Sequence, residues 1–443
     1  MSAEGVLRAE RTVTAPHCEL EEIDASPTWP FHLFCPLDFL YVFDSHLDVE
    51  MLEKSLSAVL ASYPVLAGRY VARGARVATT NLGVPLTVAT SPGSIRDIPE
   101  DPGKGIYCDV RDLQRVADGD EPILTVVLTS FNDGCALGVT MNHGCSDGSS
   151  FSAFMRDWSD VHNGKGVLPM HMGLPAAALR LLSDSEVVGL PQTDFAMLSK
   201  LLEEYRSESC EKPMRAAKAA AGVAQAARRR MHFSNEALAR IKQQAEKGAD
   251  TWVSTNEALL AHVYTSLLTA AGVQDRTRCG ITLSVDLRGK IASVPQRLLG
   301  RAVVNVELGV DLSDPATAAA NIHHALQREL TEDKLLRRHQ LGVYAMSTQI
   351  ILPGPPKPET TRSIEWNFQG KAPYYQVDFG EGPPVRGVPW NAGEEIKVAP
   401  SAQGGMDVFI LEGADPWQMR KAQLRDWAEH DFVAQAVALH ESN

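Results

Sequence analysis

The sequence predicts an α+β protein of two domains, and three observations carry that prediction. Its 443 residues, 44% hydrophobic and 22% charged, can bury a large core and are more than one core ordinarily organises. Helix-like and strand-like segments both occur along the chain, but without the regular β-α-β alternation of a wholly parallel sheet. Between Glu211 and Arg230 the composition changes to EKPMRAAKAAAGVAQAARRR, which is Ala-rich, cationic and nearly devoid of large apolar side chains. That stretch reads as a solvated crossover, dividing the chain into 1–210, a linker at 211–230, and 231–443.

Each element has its own signal. From Asp48, a plausible N-cap, the residues Met51, Leu52, Leu56, Val59 and Leu60 recur at helical spacing on one stripe, with Pro64 as the expected stop. EPILTVVLTSF and CALGVTMNH are apolar, β-branched runs on either side of Asn132-Asp133-Gly134, the composition of a hairpin turn. After Asp147-Gly148, the residues Phe151, Phe154, Met155 and Trp158 fall three and four apart, predicting a helix. In the second half, Ser234 opens a helical run. STNEALLAHVYTSLLTAAG is apolar on nearly all sides and so predicts a buried helix. ITLSVDLRG, RAVVNVELGV and GGMDVFILEG read as strands, and DPATAAANIHHALQREL as a helix.

Bulk properties narrow the function classes. A net charge of −13 opposes attraction to nucleic acid or anionic membrane. The seven cysteines are odd in number, scattered and free of any C-x-x-C pair, which argues for a reducing compartment and against a zinc site. The polar N-terminus lacks the apolar core of a signal peptide, and no stretch reaches the roughly 18 apolar residues of a membrane span. The expectation is a cytoplasmic monomer that binds neither nucleic acid nor metal.

The chemically dense segment is Met141-Asn142-His143-Gly144-Cys145-Ser146-Asp147-Gly148. A histidine leaving the end of an apolar strand sits where the chain turns, and imidazole is the side chain best matched to proton transfer near neutral pH. The residues alone leave other readings open. Gly144-x-Ser146-x-Gly148 has the pattern of a serine-hydrolase nucleophile elbow, and strand, turn and helix surround it in the right order. Such an enzyme would need a later acid and histidine; His430 and His440 are present, without a recognisable loop motif. Cys145 could act as a thiolate, although an adjacent histidine is poorly placed to activate it.

The blocks around this segment bear a family resemblance. SFNDGCALGVTMNHGCSDGSSFSAFMRDW is similar to the HxxxD block of BAHD acyltransferases, and Asp378-Phe379-Gly380-Glu381-Gly382, about 235 residues after His143, resembles their DFGWG signature. Ser62-Tyr63-Pro64-Val65-Leu66-Ala67-Gly68-Arg69, Val253 to Leu259, Val285-Asp286-Leu287-Arg288 and Gly405-Met406-Asp407-Val408 resemble further blocks in the family's order. HxxxD alone is shared with condensation domains, chloramphenicol acetyltransferases and dihydrolipoyl acyltransferases; the ordered companions narrow it. Three departures stand out. Glu381 replaces a Trp, Leu299-Gly300-Arg301 stands where a Gly-Asn pair is common, and Ser363-Ile364-Glu365-Trp366 matches a Thr-Ser-Trp stretch only in part.

The resemblance implies two similar chloramphenicol-acetyltransferase-like domains, each a mixed sheet flanked by helices, with a channel between them. Part of 360–400 is expected to pack on the N-terminal domain. It further implies transfer of an acyl group from acyl-CoA, a co-substrate rather than a resident cofactor, to a hydroxyl of a small, secondary-metabolite-like acceptor. An amine acceptor is the alternative; a hydrolase using Ser146 and a catalytically silent member rank lower. His143 is the implied general base, and no acyl-enzyme is needed. Asp147 is implied to pair with Arg288 and orient the His143 loop, and Trp366 to meet the oxyanion or substrate. Ser254 and Thr255 are implied to lie along the pantetheine arm and Lys242 to meet a phosphate. Asp378, Gly380 and Gly382 are implied to be structural. The segment from Pro30 to Asp38 is expected to help shape the acceptor pocket.

Overall fold

The computed structural model describes residues 8–24, 36–74, 76–99, 107–109, 111–173, 228–348, 362–390 and 396–411. Outside them lie His430, His440, most of the linker expected at 211–230, and residues 30–35 of the segment expected to shape the acceptor pocket.

The first half runs β1 (Arg8–Val13), β2 (Glu22–Asp24), β3 (Pro36–Phe43), α1 (Val49–Leu60), β4 (Arg69–Val71), β5 (Arg76–Ala78), β6 (Val84–Thr90), α2 (Leu113–Asp118), β7 (Leu124–Phe131), β8 (Gly134–Asn142), α3 (Gly148–His162) and β9 (His171–Met172). The second runs β10 (Arg228–Phe233), α4 (Asn235–Lys247), α5 (Thr255–Ala270), β11 (Cys279–Asp286), β12 (Leu298–Leu299), β13 (Val303–Val310), α6 (Ala318–Glu329), α7 (Glu332–Thr348), β14 (Arg362–Phe368), β15 (Arg386–Trp390), β16 (Ile396–Pro400) and β17 (Met406–Leu411).

These elements build two six-stranded mixed sheets, ordered β1-β6-β7-β8-β3-β15 and β10-β17-β16-β14-β11-β13. β8 lies between β7 and β3, and all nine of its residues are buried, which is why its sequence is predominantly apolar rather than alternating, with Thr140 and Asn142 as its buried polar members. The hairpin closes at Phe131 opposite Gly134. A Cβ at Gly134 would collide with the Phe43 carbonyl, so the turn requires glycine for close approach rather than for turn chemistry alone.

Helix signals translate directly into caps. Asp48 accepts from Met51 N at 2.9 Å, Ser234 from Ala237 N at 3.2 Å, and Ser254 from Glu257 N at 3.2 Å. Leu52, Leu56, Val59 and Leu60 are fully buried. Met51 is a correction: it stays 45% exposed, because its position falls at the edge of the α1 stripe. Pro64 is another, since α1 ends at Leu60 and Pro64 instead opens a 3-10 turn over Pro64–Ala67, where its missing N–H is harmless.

The halves interlock. β15, late in the sequence, pairs antiparallel with β3 and forms the edge of the first sheet, with Val388 opposite Leu40. β12 pairs with β9. The 378–382 loop also docks on the first half: Asp378 O accepts from Ser159 Oγ and Asn163 Nδ2, and Phe379 packs edge-on against Trp158 at 5.0 Å. Within the loop, Asp378 Oδ1 accepts from Gly380 N at 2.8 Å and Gly382 N at 2.9 Å, with both glycines at positive φ. Glu381, at the family's Trp position, is exposed.

Candidate active site

His143 is the first residue after β8, and the turn it enters is organised by Asn142. The Asn142 carboxamide oxygen accepts from Tyr70 Oη at 2.8 Å and from Gly144 N at 2.9 Å, and its carbonyl accepts from Ser146 Oγ at 2.9 Å. Only 3% of Asn142 is exposed, so these bonds form away from competing water. The result fixes the histidine. His143 Nδ1 lies 2.7 Å from the Ser146 carbonyl, an acceptor, so Nδ1 carries the hydrogen and Nε2 carries the lone pair. Burial and the neighbouring Arg301 guanidinium push the ring down to about 4, against the opposing pull of the Ser146 carbonyl and Asp147. The imidazole is therefore neutral at physiological pH.

Asp147 has both oxygens occupied. Oδ1 caps α3 by accepting from Ser150 N at 2.9 Å, while Oδ2 accepts from Arg288 Nη1 and Ala302 N, each at 2.9 Å. Burial would raise this carboxyl, but the Arg288 charge and the two N–H donors outweigh it and hold it below the usual range. Arg288 also donates through Nη1 to Asp286 Oδ1 and through Nη2 to the Leu298 and Gly300 carbonyls. One buried ion pair thus ties the loop after His143 to the chain beyond β11.

Where the two halves meet lies a cavity of about 760 Å³. The first half contributes His143, Ser149, Ser152 and Arg156, the last three from α3. The second contributes one face of its sheet: Ser284 and Asp286 of β11, Val303 and Asn305 of β13, Glu365 and Asn367 of β14. Strand alternation sends the intervening residues the other way, so Leu283, Val304, Ile364 and Trp366 are buried in the second core.

That parity corrects the placement of Trp366. Its indole is 1% exposed and Nε1 donates to Asn256 Oδ1 at 3.0 Å, pinning β14 to the first turn of α5 instead of meeting a substrate. Ser254 and Thr255 begin α5, where the Ser254 hydroxyl and Glu257 form a reciprocal capping box. Lys242 sits 3.6 Å from Glu246 and 5.0 Å from the ring centroid of Trp252, which is 62% exposed. None of these three lines the cavity, and neither does the 378–382 loop.

The nucleophile alternatives lose their chemistry here. Ser146 is fully buried with its hydroxyl committed to the Asn142 carbonyl. Burial pushes the Cys145 thiol up to about 12, the opposite of what a thiolate nucleophile requires. Sequence reasoning missed Asn142, Asn305 and Asn367. Period-two alternation separates Asn367 from Trp366, but only the burial of Trp366 seen in the structure shows that Asn367 holds the open face.

No helix among the described residues is long and apolar enough to cross a membrane. A family model described as Transferase family matches residues 28–430. The chain is 25% identical to tryptamine hydroxycinnamoyltransferase 2 of Oryza sativa subsp. japonica over 374 residues, covering 80% of this chain and 82% of that protein. It is 25% identical to anthranilate N-benzoyltransferase protein 2 of Dianthus caryophyllus, covering 77% and 76%. The crystal structure of vinorine synthase superposes with a TM-score of 0.66 at 16% identity, over 95% of this chain and 98% of that one. F. sporotrichioides TRI101, complexed with coenzyme A and T-2, superposes with a TM-score of 0.65 at 18% identity, over 92% and 98%. With a two-domain mixed-sheet fold, the expected blocks in order and a family match spanning most of its length, the chain belongs to the BAHD transferase family and is an acyl-CoA-dependent acyltransferase.

Proposed function

We propose that this enzyme moves an acyl group directly from a CoA thioester to the amine of a small acceptor, with His143 as general base and no acyl-enzyme. The observation that carries the mechanism is the His143 ring: neutral, fixed in tautomer through Nδ1, and lining a cavity walled by both halves. Holding two substrates in one cavity supplies much of the barrier reduction, since effective molarities for well-oriented reactants are large. Nε2 takes the proton of the acceptor as its nitrogen or oxygen bonds to the thioester carbon. The carbonyl π pair moves onto oxygen; when it returns, the C–S bond breaks and the thiolate takes the proton from Nε2. Asp147 holds the loop through Arg288 and does not relay charge.

The amine is placed ahead of the hydroxyl that the sequence put first, because both relatives compared above are named for amine or N-acyl chemistry. The hydroxyl reading is kept as the second, since the same base and cavity serve it. For coenzyme A, Ser254 and Thr255 along the pantetheine arm and Lys242 toward a phosphate stay part of the proposal. The exposed Trp252 beside Lys242 supports a ligand surface at the start of α5.

The test is thiol release from an acyl-CoA panel paired with amine and hydroxyl acceptors, with the product identified by mass and by its resistance to mild alkali. We expect an alkali-stable amide from wild type and a rate loss of about 10²–10⁴ in His143→Ala. An alkali-labile ester would move the hydroxyl to first place, and full activity in His143→Ala would overturn the mechanism.

A further inference from the structure

We propose that Arg301 is the group that holds the negative charge on the thioester carbonyl oxygen during transfer, the task the sequence assigned to the Trp366 indole. This deepens the acyl-transfer reading and rests on it.

The placement of residue 301 is unusually constrained. The Gly300 carbonyl accepts from Arg288 Nη2 and Ser150 Oγ, both at 2.9 Å, and Ala302 N donates to Asp147 Oδ2 at 2.9 Å. Both chain neighbours of Arg301 are therefore clamped to the turn and helix start that follow His143. A shift of its backbone relative to the base breaks these bonds to Arg288, Ser150 and Asp147. From that fixed position the side chain lines the same cavity as His143, although only 8% of the residue is exposed. Nη1 donates to the Val303 carbonyl at 3.3 Å, which steadies the guanidinium. A guanidinium carries five N–H donors, so holding a protein partner and meeting a substrate oxygen are compatible.

Charge supports the same placement. Arg301 is the cation that acts with burial to push the His143 ring down. In the transfer step, the acceptor atom that donates its hydrogen to Nε2 attacks a carbon whose oxygen is one bond away, so base and oxyanion lie within a few Å of each other. Arg301 and His143 line the same cavity, so a cation whose field disfavours the protonated ring also favours negative charge on an oxygen held beside that ring, and the burial of Arg301 strengthens the attraction. Arg301 keeps its proton throughout; it stabilises the oxyanion, and the proton shuttles only through Nε2. The Gly-Asn pair common at this place in the family would present a neutral amide there, so Arg301 substitutes a charge for a dipole.

The experiment uses the full chain with uncharged acyl groups and carboxylate-free acceptors, comparing wild type, His143→Ala, Arg301→Asn and Arg301→Lys. We expect Arg301→Asn to lower kcat by about 10²–10³ with little change in either KM, as for loss of an oxyanion donor. Its acid limb of kcat/KM should move up from near 4 while staying below 6.5, because burial, the larger cause of the depressed ring, remains and only the Arg301 charge is gone. Arg301→Lys should keep the limb low and recover part of the rate; if the Asn variant does not fold, this pattern in the Lys variant carries the test. The proposal is overturned by a kcat within threefold of wild type in Arg301→Asn. A parallel series with a carboxylate-bearing acceptor adds a further control: the proposal is equally overturned by a rate loss confined to that series, which would make Arg301 a specificity anchor, or by equal losses in both variants with an unmoved limb, which would make it structural. An inactive wild type would sink the acyl-transfer reading itself. An active wild type, an inactive His143→Ala and an unaffected Arg301→Asn would sink only this inference.

Discussion

Asp147→Ala removes one buried carboxylate, strands Ala302 N and Ser150 N, and leaves the buried Arg288 Nη1 with Asp286 Oδ1 alone as its carboxylate partner; all three donors lie 2.9 Å from an Asp147 oxygen. Breaking a buried ion pair by deleting one partner costs about 3–5 kcal/mol, and losing a helix N-cap about 0.5–2 kcal/mol. The terms share one side chain and do not add, so the expected net loss is about 4 kcal/mol. For a cooperative unit of about 200 residues that lowers the melting temperature by about 8–16 °C. Thermal and urea unfolding followed by fluorescence measure it. Asp147→Leu with Arg288→Met removes both charges and should recover most of the stability while transfer stays slow, because an apolar pair packs but does not orient the turn that carries His143. Were Asp147→Ala to melt within about 1 kcal/mol of wild type, or to keep full kcat once folded, the reading of this pair as the anchor of the loop would be wrong.

Three further outcomes follow from the same geometry. The pH profile of transfer should keep its acid limb well below pH 6.5, since the folded ring titrates near 4; stability linked to His143 is full above 6.5 and declines as pH falls through that window, because the unfolded ring binds its proton first. Titration of kcat/KM together with urea midpoints checks both. Ser146→Ala should keep transfer within threefold of wild type, because its hydroxyl serves the Asn142 carbonyl; abolished thiol release would revive the hydrolase reading. Asp378→Ala should cost about 1–3 kcal/mol by stranding the Gly380 and Gly382 amides, yet leave the folded enzyme's kcat unchanged, as no residue of that loop lines the cavity; a kcat loss at full stability would place the loop in the chemistry.

The parts of the fold legible in the sequence were those written in local chemistry. Asp48, Ser234 and Ser254 announce helix starts because a short polar side chain satisfies the first free amides, and that requirement does not depend on the rest of the molecule. The histidine turn was legible because β8 is predominantly apolar and His143 follows directly at its end, where the buried run gives way to Gly144 and the 146–148 polar turn. What escaped was parity and long-range pairing. Choosing Trp366 over Asn367 depended on which face of β14 meets the cavity, and a strand's alternation states that two faces exist without saying which is inside. Arg301 was noticed only as a departure from a common pair, since its proximity to His143 arises from clamps to residues about 150 positions earlier in the chain.

The pairing of β15 with β3 has a consequence for how the protein is made. A ribosome delivers the β3 edge some three hundred and fifty residues before the strand that covers it. During that interval Leu37 to Phe43 form an apolar edge with open backbone donors and acceptors, the kind of template on which other chains pair. Any nascent chain that assembles the first sheet before Trp390 is made therefore carries this edge uncovered until β15 arrives.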